Sequence, residues 1–212
     1  MQIDIAAAIG ATAREVRNLE RDGKPAVAIV ASRTYATDIE NLWEAVTTKE
    51  RLARWFSPVS GDFHPGGRFQ IENNAAGEIK VCEPPRTLDV TWEFSGKVSW
   101  VSLRLYAAGN GHSRLELTHL YVVDPDWEEK YGPGAGGVGW DLGLAGLALH
   151  VSSEVTAPVE ASGEWFASQN YRDLVDACAK AWGDAHAASG APEDAARAAA
   201  ARTAAFFKGE EQ

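Results

Sequence analysis

The stretch from Gly132 to His150, GPGAGGVGWDLGLAGLALH, constrains this chain more than any other, because a glycine-rich run enters an apolar helical pattern without a break. Gly134, Gly136 and Gly139 spell GxGxxG, which in a dinucleotide-binding unit lets backbone amides at a helix start approach a pyrophosphate. That reading needs a buried strand ending at the first glycine. The preceding segment, Asp124 to Tyr131, reads instead as a polar connection, and no strand–helix–strand alternation follows, which argues against nucleotide binding. At about 100° per residue, Gly139, Gly143, Gly146 and His150 share one seam of a helix, flanked by Trp140, Leu144, Leu147 and Val151 on one side and Leu142 and Leu149 on the other. Asp141, Ala145 and Ala148 point away. Each glycine gives up roughly 1 kcal/mol of helix propensity. The seam therefore predicts either close approach of a sheet or room for a ligand between helix and sheet. Gly143→Leu separates the two: it destabilises by roughly 1–3 kcal/mol if the sheet packs there, and blocks binding without unfolding if a void lies there.

A chain of 212 residues with 45% hydrophobic and 24% charged side chains has the composition of a globular protein with a substantial core. Its formal charge of −10 and the lack of a Lys/Arg stripe disfavour nucleic acid and anionic membranes, which are held by phosphate neutralisation. The start, MQIDIA, lacks a basic n-region, and no apolar run reaches the ~18 residues of a membrane span. A cytoplasmic protein is expected. Cys82 and Cys178, far apart and without a CxxC spacing, read as reduced thiols.

Arg14 to Arg21 and Lys24 to Thr37 alternate around Asp22-Gly23, a hairpin turn signal. Asp38 caps a helix over Ile39 to Thr47, and Thr48 a second one through Leu52 to Phe56. Strands are predicted at Gly67–Glu72, Gly77–Glu83, Thr87–Phe94, Val98–Ala107 and Ser113–Val122. Alternation is clearest in Leu88, Val90, Trp92 and Phe94 and in Leu115, Leu117, His119 and Tyr121. An antiparallel sheet with one apolar face buries that face by wrapping the long helix, giving an α+β fold. Glu164–Ala188 and Ala191–Phe207 add helices. The expected division is a domain over residues 1–157 and a helical extension over 158–212, the latter a possible surface for a protein partner.

The run from Arg33 to Thr47, then Leu52 to Pro58, then Pro65 to Phe69, resembles the START-like (SRPBCC) superfamily, in the branch homologous to activators of the heat-shock 90-kDa chaperone ATPase. Gly77-Glu-Ile79, Pro84 to Leu88, Thr91 to Phe94 and Leu115 to His119 continue the likeness in order, as does the loop before Trp140. The resemblance spans roughly residues 25 to 152 and implies the helix-grip fold, with a curved sheet around a long C-terminal helix and a cavity between them. Ala36-Thr37 departs from the usual alanine-proline. The hairpin and terminal helices exceed the minimal domain.

Few groups that do chemistry converge. The five histidines show neither HExxH nor HxH spacing, so no metal or other cofactor is expected. No serine or cysteine has a nucleophile-elbow context, and no catalytic residue is assigned. His119 shares the inward parity of Leu115 and Leu117. Arg33, alternating with Tyr35, points inward as a possible anion contact. The sequence thus predicts binding of a small hydrophobic or amphipathic molecule by Arg33, Phe69, Trp92, Leu103, Leu117, His119, Trp140, Gly143 and Leu147. Two alternatives are a cyclase-like cavity enzyme using His119 in acid/base work, and an interaction module working through the terminal helices.

Overall fold

The computed structural model describes residues 4–152 and 163–210. In chain order the elements are α1 (Ile5–Gly10), β1 (Thr12–Arg21), β2 (Lys24–Tyr35), α2 (Ile39–Thr47), α3 (Lys49–Trp55) and β3 (Val59–Gly61). There follow β4 (Arg68–Ile71), β5 (Ala76–Glu83), β6 (Thr87–Phe94), β7 (Lys97–Gly109) and β8 (His112–Val122). The chain closes with α4 (Pro125–Tyr131), α5 (Gly134–Ser152), α6 (Gly163–Phe166), α7 (Gln169–Ala188) and α8 (Glu193–Phe207). The strands form one open antiparallel sheet in the order β1-β2-β8-β7-β6-β5-β4-β3. This is the α+β helix-grip class that the alternation and the family resemblance predict.

Short polar signals set the element boundaries. Three hairpin turns, Asp22-Gly23, Ser95-Gly96 and Asn110-Gly111, hold both residues at positive φ. That backbone matches the right-handed twist of paired strands. The Asp38 carboxylate accepts from Asn41 N at 2.7 Å and starts α2, and Ser168 Oγ accepts from Tyr171 N at 3.1 Å and starts α7.

Several elements differ from the sequence reading. Asp124 to Tyr131 is not a connection: Asp124 caps α4 and Pro125 occupies its first position, where the missing N–H costs nothing. The glycine run is helical from Gly134 onward. The single helix expected over Glu164–Ala188 is broken at the Ser168 cap into α6 and α7. β3 and α1 are short elements absent from the sequence reading, although Asp4 caps α1, its carboxylate accepting from Ala7 N. The domain boundary expected at 157/158 lies outside the described residues.

The chain divides into two compact units. The first comprises Met1–Ala31, Val122–Leu142 and Glu160–Gln212. Within it, α7 lies against β1 and α8, and the buried indole of Trp182 covers the start of α5. A Cβ on Gly137 would stand 2.3 Å from that ring. Asp141, the sole charged residue of α5, is buried beneath this contact. Its Oδ2 accepts from Arg14 Nε at 2.8 Å and from Trp182 Nε1 at 3.0 Å. Arg14 and Asp141 side chains are 8% and 2% exposed, so the pair sits in the interior. Among the described residues, Asp141 Oδ1 has no hydrogen bond of ordinary geometry, and the Cys178 thiol lies beside the carboxylate. Burial pushes the Asp141 carboxyl up, against the pull of Arg14, and pushes the Cys178 thiol up as well. Breaking such a pair from one side leaves an uncompensated buried charge, at a cost of roughly 3–5 kcal/mol.

The second unit, Ser32–Tyr121 and Gly143–Val159, holds most of the sheet. Its two faces are chemically opposite. On one, Arg104–Asp89, Arg114–Glu116, Arg68–Glu93 and Lys80–Glu78 form ion pairs, which add little to stability because they are solvated. The other carries Ile79, Val90, Val101, Leu105, Leu115 and Leu117, all buried. A register shift between Ile79 and Val81 realigns β5, so that Cys82 stands opposite Leu88, on the apolar face. α2 lies against β7, burying Leu42, Trp43 and Val46. The Tyr35 hydroxyl donates to the Leu144 carbonyl at 3.3 Å, joining β2 to the second half of α5.

Candidate functional site

The apolar face of the second unit is not uniformly closed. Val90, Val101, Leu105 and Leu117 are buried, but Leu88, Trp92, Ser99, Leu103, His119 and Tyr121, at the same strand parity, are only half-buried. Trp92 stands opposite Ser99, and Val101 opposite His119. These groups form a row across β6, β7 and β8.

An aromatic series extends the row. Phe69 pairs with Gly77 across β4 and β5, and the missing side chain lets its ring fold over that glycine: a Cβ there would stand 2.8 Å from the ring. So placed, Phe69 has its centroid 6.4 Å from Trp92. Trp92 is 6.1 Å from His119, and His119 is 6.1 Å from Tyr121, edge-on. These spacings suit offset and edge-to-face aromatic contact.

His119 is the polar centre. Its Nε2 lies 2.8 Å from Ser99 Oγ, and Ser99 Oγ donates to the Trp92 carbonyl at 3.1 Å. The imidazole is densely surrounded by protein yet keeps accessible surface. Burial pushes its pKa down to about 4, so it is neutral near physiological pH. Burial also raises the Cys82 thiol on the same face.

The helical side of this unit is held by a polar network. A guanidinium only donates, so in the 3.0 Å contact between Arg51 Nε and His150 Nε2 the imidazole accepts. Arg51 Nη1 also donates to Asn41 Oδ1 at 2.6 Å, and Asn41 Nδ2 to Thr37 Oγ1 at 2.6 Å. This network ties the end of α5 to α2 and α3. The seam glycines meet the end of α3: a Cβ on Gly146 would lie 3.1 Å from the Trp55 carbonyl, whereas one on Gly143 would meet Trp55 and Phe56 at an ordinary 4.0 Å.

Of the residues singled out by sequence, Phe69, Trp92 and His119 form the contiguous series, and Leu103 is half-buried on the same face. Leu117 and Leu147 are buried. Gly143 faces Trp55 and Phe56. Arg33 has its guanidinium carbon 5.8 Å from the Tyr35 ring centroid, and Glu116 is paired with Arg114. Trp140 is half-buried in the half of α5 that belongs to the first unit. Sequence reasoning passed over Ser99, although its alternation with Val101 and Leu103 signals its parity. Among the described residues, no cluster of three His, Cys, Asp or Glu side chains is arranged to hold a metal, and no helix is long and apolar enough to cross a membrane.

A sheet with one charged and one apolar-aromatic face, accompanied by a long glycine-seamed helix, defines the START-like class. The chain belongs to the family described as Activator of Hsp90 ATPase homolog 1-like protein, whose model matches residues 36–151. The solution structure of CalU16 from Micromonospora echinospora is similar at 30% identity and a TM-score of 0.69, covering 85% of this chain and 97% of that one. Its crystal structure gives 29% identity and a TM-score of 0.62, with 84% and 98% covered. The likeness thus extends well beyond the family-matched segment. DynU16, a protein of the dynemicin biosynthetic locus, shares the fold at 21% identity and a TM-score of 0.53, over 61% of this chain and 48% of that one. No curated protein matches this chain.

Proposed function

We propose that the second unit binds a small hydrophobic or amphipathic molecule on the apolar face of its sheet, against Phe69, Leu88, Trp92, Leu103, His119 and Tyr121. The carrying observation is that Leu88, Trp92, Leu103, His119 and Tyr121 keep solvent access on a face whose neighbouring positions, Phe69 among them, are buried. Leaving such groups part-wet forgoes part of the roughly 1.5–3 kcal/mol that full burial of a large apolar side chain is worth, and an incoming ligand recovers it. Family membership supports the reading. Titration of intrinsic tryptophan fluorescence with a panel of lipids, fatty alcohols and polycyclic aromatics tests it. A saturable response that is lost in Trp92→Phe is expected; no saturation across the panel overturns it.

A second reading, docking to a protein, is favoured by the exposed aromatics of the first unit. Trp127 on α4 and Phe206 on α8 are 45% and 43% exposed and stand 6.5 Å apart, edge-on. Deleting the terminal helices would expose the core around Trp182, so the better test is the double variant Trp127→Ser, Phe206→Ser. The family description points to an Hsp90-class chaperone. If this reading holds, the native chain stimulates the ATPase of such a chaperone and the double variant does not.

A further inference from the structure

Arg51, on α3, is a largely buried cation that touches no carboxylate at hydrogen-bond distance. Its side chain is 21% exposed. Nε donates to His150 Nε2 at 3.0 Å, and Nη1 donates to Asn41 Oδ1 at 2.6 Å and to the Asn41 carbonyl at 3.4 Å. None of these three acceptors carries a negative charge. The carboxylate that approaches, Glu44, stands 3.9 Å from Nη1 and is 66% exposed. A guanidinium so far withdrawn from water ordinarily lies against an anion, because burying an unpaired charge is costly. Arg14 meets that condition in the first unit with Asp141. Arg51 does not.

The guanidinium is also held in place with part of its donor set unused. Asn41, which receives Nη1, is itself fixed: its Nδ2 donates to Thr37 Oγ1 at 2.6 Å, and its backbone N–H donates to Asp38 Oδ1 at 2.7 Å. The plane of the Arg51 fork is therefore set before any ligand arrives, which lowers the ordering cost of binding. Nη2 meets no acceptor among the described residues. Arg54 follows three positions later on the same side of α3, exposed and in no ion pair among the described residues. Within α3 the opposing charge is Glu50, while Lys49 is spent on the Gly61 carbonyl and the Phe63 ring. In a chain of net charge −10, this is a local concentration of positive charge.

We propose that Arg51, with Arg54 beside it, forms a site for an oxyanion, a phosphate or a carboxylate, which accepts from Nη2 where α2, α3 and α5 meet. The site does not depend on the sheet face binding a ligand. Its occupant is either a free anion or the charged head of an amphiphile. Octyl phosphate, octanoate, octanol and inorganic phosphate, titrated into the native chain and followed by calorimetry and by the Arg51 Nε–H chemical shift, test this. Octyl phosphate and octanoate should each bind at least about ten-fold more tightly than octanol, and the Arg51 signal should move on titration. In Arg51→Gln that advantage should vanish. In Arg51→Lys, which keeps the charge without the fork, it should shrink. Arg54→Gln, which breaks no internal hydrogen bond, should weaken the anions by about two-fold and leave octanol unchanged. Thermal unfolding establishes that each variant is folded, and if Arg51→Gln is not, the other two variants and the Arg51 signal decide. Inorganic phosphate that matches octyl phosphate identifies a free anion, and much weaker phosphate identifies the head of an amphiphile; both uphold the site. Equal binding of octanol and the two anions overturns it, as does failure of every anion to bind. An anion preference unchanged in Arg51→Lys and Arg54→Gln, or one that leaves the Arg51 signal still, overturns it as well.

Discussion

The two halves of α5 use the same glycine-rich composition for opposite ends. In the first half, Gly137 lies directly beneath the indole of Trp182, with no room for a methyl group. In the second, Gly143 has ordinary van der Waals space toward Trp55 and Phe56, although a Cβ on Gly146 would crowd the Trp55 carbonyl. The first half also buries its one charged residue, Asp141, with Arg14, while the second buries Leu144, Ala145 and Leu147 and ends in the hydrogen bond that Arg51 donates to His150. Glycine spacing alone therefore does not distinguish a close contact from spare room. What decides is the side chain brought opposite.

The contrast can be broken most forcefully at the ion pair. Arg14→Leu should destabilise the protein by roughly 3–5 kcal/mol in denaturant unfolding, because Asp141 is left buried without a counter-charge. Arg14→Leu combined with Asp141→Leu should recover much of that loss, and failure to do so would mean that the Trp182 hydrogen bond matters more than the charge. Next comes Gly137→Ala, expected to cost about 3 kcal/mol through displacement of a fully buried Trp182. A cost near zero would show that the first half is as roomy as the second.

A third expectation concerns pH. His119 titrates near 4 in the folded chain, below its ordinary 6.5, so between these values the unfolded chain binds more protons and stability falls as pH falls. His119→Phe should flatten this acid limb by about 2 kcal/mol, once solvent access to the ring is allowed for, as read from stability measured between these two pH values. The smallest effect belongs to Gly143→Ala, which should be neutral or stabilising by up to about 1 kcal/mol through helix propensity. Marked destabilisation would mean that α3 packs more tightly on the seam than the spacing indicates.

Much of the sheet was legible because its signals are local. Asp22-Gly23 and Asn110-Gly111 mark turns by the backbone conformation they tolerate, and the alternation of Leu88, Val90 and Trp92 assigns one face without reference to partners. β6 runs over Thr87–Phe94 and α2 over Ile39–Thr47, as those patterns predict. The start of α5 was not legible as helix, since glycine propensity argues for a loop and only the packing of Trp182 and Thr203 overrides it. Asp141, expected to point away from the seam, is itself buried. The cause is Arg14, a partner 127 positions away in sequence that no local pattern reveals. The His119–Ser99 contact depends on cross-strand register, which a single chain does not encode locally.

The register shift in β5 has a practical corollary. It leaves the thiol of Cys82 half-buried on the face that carries the aromatic series, while Cys178 is enclosed in the other unit. An alkylating reagent would consequently distinguish the two cysteines without any engineering of the chain. Occupancy of the sheet face would then be readable as protection: a ligand lying against Leu88 and Trp92 should slow modification of Cys82 and leave Cys178 as inert as before.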